Sequence, residues 1–196
     1  MYKWMLALVL SGTALAAPRT HQKFSVDLNG DGRPEQVLLQ TYEVEGVEKG
    51  QLKVLSSAGK VIWTSPRVKT PYEDGPWSFL GEFDRGDLCF VEDYDGDGRV
   101  ELLATGQKSD VRPTLFKLYH WDGRRFVFER EAMLVAAPQK PATFPWTRYD
   151  PAASSWIDSL QRTAPGRYQG SLCDIPNPSQ QLKLRYQAGE GFVVSE

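Results

Sequence analysis

The stretch Asp93-Tyr-Asp95-Gly-Asp97-Gly-Arg99-Val-Glu101, followed at once by Leu102-Leu-Ala104, decides how the chain is read. It has a twin in Asp27-Leu-Asn29-Gly-Asp31-Gly-Arg33-Pro-Glu35, followed by Gln36-Val-Leu-Leu-Gln40. Each places an oxygen-bearing side chain at positions 1, 3, 5 and 9 and a glycine at position 6. Side chains at alternating positions of a tight turn converge on one side, and glycine supplies the bend at positive φ that other residues resist. Such a set of hard oxygen donors suits Ca²⁺, which takes six to eight oxygens and tolerates irregular shells. The backbone carbonyl of position 7, at Arg33 and Arg99, is the natural fifth ligand, with water completing each shell.

An EF-hand needs a bidentate Glu at position 12 and flanking helices. Position 12 is Leu38 in one loop and Ala104 in the other, and the residues that follow are short and apolar, as in strands. The EF-hand reading therefore fails. The competing reading is a pair of solvated Asp-Gly turns without an ion, since these residues favour turns in any case. Two loops sharing every ligand position favour two Ca²⁺ sites. The second, with four carboxylates against three, is expected to bind more tightly.

The pattern D-x-[DN]-G-D-G-x-x-[DE] ahead of an apolar strand resembles the calcium loop of FG-GAP/VCBS-type repeats, as in the β-propeller of integrin α-chains. The resemblance covers residues 23–64 and 89–130. It implies one site made by Asp27, Asn29, Asp31, the Arg33 carbonyl and Glu35, and another by Asp93, Asp95, Asp97, the Arg99 carbonyl and Glu101. It also implies four-stranded blades, and hence an all-β chain of two to three propeller-blade-like antiparallel repeats of about 65 residues.

A second periodicity agrees. Gln51–Trp63, Leu115–Val127 and Gln181–Val193 each read as an alternating strand, a turn with Gly and a second apolar strand, with Lys53, Lys117 and Lys183 at matching places. The third unit has no acidic loop; near the expected register stands Ser155-Trp-Ile-Asp-Ser-Leu160, with a single acid. Three blades do not close a ring, so the expectation is a compact open propeller or sandwich-like domain spanning 18–196, with units at 23–76, 77–135 and 152–196. The prolines at 138, 141, 145 and 151 mark 136–151 as an irregular connection. One helix is expected, at about 153–162, where Trp156, Ile157 and Leu160 fall at helical spacing.

Residues 1–17 read as a cleaved signal peptide: Lys3, the apolar run Trp4–Leu10 and the small-residue site Ala14-Leu-Ala16. The run is too short to span a bilayer, so a secreted or periplasmic protein is expected. In an oxidising compartment Cys89 and Cys173 are candidates for a disulfide. The alternative is two unpaired thiols acting as small hydrophobes. A net charge of −2 with no basic stripe gives nucleic-acid binding no support.

Catalysis has little to stand on. The two histidines are His21, near the mature N-terminus, and His120, in the hairpin turn His120-Trp-Asp-Gly123; no nucleophile elbow, P-loop or zincin motif is present. The aromatics Trp77, Phe79, Trp146, Tyr149 and Trp156 either fill a core or present rings to sugars or proteins. The leading expectation is thus a non-catalytic, calcium-stabilised module that binds a protein or surface glycan, as a monomer or an oligomer. The runners-up are a carbohydrate-binding module and a hydrolase with a catalytic divalent metal.

Overall fold

The computed structural model describes residues 18–79, 88–105, 113–140, 142–148, 150, 152–174 and 177–195, with 177 and 178 as backbone only. The expected signal peptide and Tyr149 lie outside them. Among the described residues the chain is all-β, without helix, in three antiparallel sheets of which none closes into a barrel.

Strands β1 (Arg19–Val26), β2 (Glu35–Val44), β3 (Val47–Leu55) and β4 (Val61–Thr64) form the first sheet in chain order. Strands β5 (Leu88–Glu92), β6 (Glu101–Thr105), β7 (Phe116–Trp121) and β8 (Phe126–Leu134) form the second, also in order. The third contains β11 (Ser155–Ala164), β12 (Arg167–Asp174), β13 (Asn177–Gln187) and β14 (Gly191–Val194). The three expected hairpins are therefore β3–β4, β7–β8 and β13–β14.

Alternation explains the outer sheets. In β2, Val37 and Leu39 are buried opposite Val54 and Leu52 of β3, while Gln36 and Gln40 on the other face keep contact with water. The middle sheet is different. Leu102 and Ala104 of β6 enter a core shared with Val37, Leu39, Leu52 and Val54, whereas Leu103 enters a second core with Ile157, Leu160, Leu184 and Phe192. Covered on both faces, β6 has no polar side to show, hence its continuous Leu-Leu-Ala run.

Two expectations need correction. The segment expected to be helical is β11. A bulge between Ile157 and Ser159 shifts the pleat by one residue, so Ile157 and Leu160 reach the same core although they stand three apart. That bulge imitates helical spacing. It also places Ser155–Leu160 inside a strand, so the counterpart of the acidic loops is the tight β11–β12 turn Ala164-Pro-Gly166-Arg167, where Gly166 has a φ of 64°. The proline-rich 136–151 stretch is more ordered than expected: β9 (Thr143–Phe144) adds to β14 and β10 (Trp146–Thr147) adds to β8.

Gly191 makes the β9 contact possible. A Cβ there would stand 2.5 Å from the Phe144 carbonyl oxygen, and its φ of 96° suits only glycine. The sequence-derived aromatics are core residues where described: Phe79 and Trp156 are buried, while the partly buried Trp77 packs on Trp63 and Tyr119, at ring-centroid distances of 5.4 and 5.2 Å. Trp146 lies 5.7 Å from Phe192. Cys89 and Cys173 are not joined by a disulfide; Cys89 is buried in the second core with its Sγ 3.3 Å from Thr105 Oγ1.

Candidate metal centre

Both acidic loops connect the first two strands of a sheet, β1 to β2 and β5 to β6. The first residue organises each turn. Asp93 accepts hydrogen bonds from the N–H of Gly96 at 2.7 Å and of Gly98 at 3.0 Å. Asp27 does the same for Gly30 and Gly32, both at 2.8 Å. These bonds require the chain to fold back within five residues, and both glycines of each loop sit at positive φ, between 75° and 86°. Sequence spacing called for this at position 6; the glycine at position 4 has the same role. The Gly32 amide is the main reason that the Asp27 carboxyl is held below its ordinary range.

The ninth residue closes the loop from beneath. Glu101 is 7% exposed and accepts the Tyr94 N–H at 3.2 Å; Glu35 is 3% exposed and accepts the Leu28 N–H at 2.9 Å. In the second loop, ligand oxygens of Asp93, Asp95, Asp97 and Glu101 all lie within 4.8 Å of one another. Burial, followed by the charge of Asp95, pushes the Glu101 carboxyl up to about 8. Burial also raises Asp95. Packing like charges this closely is unfavourable unless a proton or a cation offsets them. The donor set is oxygen only, with no thiolate or imidazole among these four groups, which suits a hard cation such as Ca²⁺.

The loops differ in what occupies their mouths. In the second, the Arg99 guanidinium holds Asp97 Oδ2 through Nε at 2.8 Å and Nη2 at 2.7 Å, and lowers the Asp97 carboxyl. In the first, the Asn29 amide nitrogen stands 3.3 Å from Glu35 and 3.4 Å from Asp31, while its oxygen accepts the Asp31 N–H at 2.9 Å. For Asn29 to present oxygen to an ion, its amide must turn over and give up that bond. Arg33 offers its N–H to Asp31 at 2.7 Å, as Arg99 does to Asp97 at 2.9 Å. The structure gathers the four acids of the second loop, whereas in the first loop Asp31 and Glu35 are linked through the Asn29 amide and Asp27 holds the turn amides.

Sequence reasoning missed the supports around the loops. Lys117 is buried, and its ammonium donates to the carbonyls of Gly75 at 2.6 Å and Ser78 at 3.0 Å, pinning the strap that carries Trp77. Gln22 of β1 holds the Leu88 backbone of β5 from both sides, at 2.7 and 3.2 Å. Glu92 of β5 pairs with Arg162 of β11 at 2.7 Å and accepts the Tyr168 hydroxyl of β12. The alternation of Lys117 with apolar neighbours in β7 was the visible signal for the first. The other two depend on which strands meet.

Comparison with protein-family models, with curated proteins and with solved structures gives no match.

Proposed function

We propose that this chain is a secreted or periplasmic calcium-binding β-repeat protein of the FG-GAP/VCBS type, whose ions set the entry of β2 and β6 and which acts as a non-catalytic binding module. The observation that carries the reading is the second loop: four carboxylates converging within 4.8 Å, one of them buried, each held by at least one backbone amide. Asp93, Asp95, Asp97, Glu101 and the Arg99 carbonyl hold one ion. Asp27, Asn29, Asp31, Glu35 and the Arg33 carbonyl hold another, more weakly. Three successive four-stranded meanders, two with the loop in the same connection, support the blade-repeat reading. The burial of Phe79 and Trp156 speaks against a sugar platform built from those rings. A protein or polar glycan surface remains the partner class of this reading.

Bound ion adds RT ln(1 + [Ca²⁺]/Kd) to stability, about 2.7 kcal/mol at a hundred times Kd. For a domain of this size that is a rise in Tm of roughly 5–10 °C. Thermal melts in millimolar Ca²⁺ and in chelator test it; equal midpoints would remove the structural-calcium reading.

A further inference from the structure

The two loops are anchored differently, and the difference concerns the third sheet. The residues flanking Asp27 are Val26 and Leu28, which pack in the core between the first two sheets. The residues flanking Asp93 are Glu92 and Tyr94, and both are held by the third sheet. Glu92 takes the ion pair from Arg162 and the hydroxyl of Tyr168. Arg162 Nε is not aligned for a hydrogen bond, so its contribution is chiefly charge. Tyr94 lies 4.7 Å, edge-on, from Tyr186 and stacks at 6.2 Å on Phe192, with Phe90 of its own sheet at 5.1 Å. Tyr168 rests in turn on Phe90 and Phe192, each at 5.2 Å.

We infer that the third sheet, which has no acidic loop, is the positioning platform of the second loop. Arg162, Tyr168, Tyr186 and Phe192 fix the residues on either side of Asp93, and thereby the carboxylate that gathers the Gly96 and Gly98 amides. The loop geometry in the metal-free chain then depends on docking of β11–β14. By linkage, a cation in the second loop strengthens the contact between the second and third sheets by the same free energy that docking lends to the cation. This reciprocal part rests on the calcium reading above; the positioning part does not.

The test is hydrogen exchange and Ca²⁺ titration on the full chain carrying Tyr168→Phe, Arg162→Gln, or both. Tyr168→Phe keeps the ring contacts and removes only the hydroxyl, so it preserves the fold even if the double variant does not. In chelator, the variants are expected to raise amide exchange of residues 94–98 several-fold and leave residues 28–32 unchanged. With Ca²⁺, affinity at the second loop is expected to fall about 3–10-fold and at the first less than twofold. In wild type, Ca²⁺ is expected to slow exchange in residues 155–174. Unchanged exchange of 94–98 in folded Tyr168→Phe and Arg162→Gln overturns the positioning role, as does an equal rise in both loops. If wild type gains no protection from Ca²⁺ in either loop, the calcium reading fails, and the comparison in chelator still decides the platform.

Discussion

Glu101 sets the pH behaviour of the second loop. Burial and Asp95 raise its carboxyl from 4.5 to about 8, so the folded, metal-free chain retains a proton that the unfolded chain has released. Stability in chelator should therefore fall as pH rises from 4.5 towards 8 and level off above it. The slope has a ceiling of about 1.4 kcal/mol per pH unit, lowered because exposed Asp93 and Asp97 leave one side of the cluster to water. Urea melts across this range should show a clearly smaller slope in Glu101→Gln, where the raised Asp95 carboxyl still contributes. Ca²⁺ affinity should show the opposite slope, because the proton competes with the ion, and increase up to about pH 8, so that at saturating Ca²⁺ the stability slope vanishes. Arg99 makes a second prediction. Its guanidinium ties up Asp97 Oδ2, whereas its proposed ligand is the backbone carbonyl. Arg99→Ala should tighten the second site several-fold; equal or weaker binding by calorimetry would contradict this. In the first loop, Asn29→Asp replaces the inward amide with a carboxylate and should strengthen that site.

At the scale of elements, the acidic loops and three hairpins were legible because their signals are local: glycines at fixed offsets, and alternation broken by a turn. β11 was not. Its bulge places Ile157 and Leu160 on one face, and no neighbouring residue announces a bulge before its partner strand is known. Gly170 of β12, opposite Leu160, is part of that partner. A Cβ there would meet Leu184 Cδ1 at 2.6 Å and Ile157 Cγ2 at 3.2 Å. Gly170→Val should destabilise by about 1–3 kcal/mol through overpacking, read from denaturant melts. The strap 74–79 makes the same point. Lys117 was visible as one of three lysines at matching hairpin positions, yet its ammonium bonds two carbonyls inside the fold. Lys117→Met leaves the Gly75 and Ser78 carbonyls without it and should cost roughly 2–4 kcal/mol; a change within 0.5 kcal/mol would refute the clamp.

The whole molecule is a stack whose middle sheet contributes to a core on each face and whose outer sheets turn largely polar faces to water, with Val61, Ile62 and Val194 exposed at their margins. Gln36 and Gln40 on the first sheet bond Ser25 and Thr20, and Gln169 on the third bonds Gln181, with exposed Lys183 and Arg185 beside it. Polar outer faces on terminal units are what let a short array end in water. Closing a ring with a second copy would set Lys23 and Lys53 of the first sheet against Lys183 and Arg185 of the third. We therefore expect a monomer by light scattering at micromolar concentration. This level was the least legible in the sequence, since face-to-face stacking depends on which of two alternating sets meets a neighbour. The central claim, that the acidic loops hold calcium, is tested most directly by calorimetric titration of the metal-stripped chain and of Asp93→Asn. The account predicts two sites in wild type, the tighter one lost in the variant; no saturable binding at millimolar Ca²⁺, or an unchanged tight site in Asp93→Asn, would contradict it.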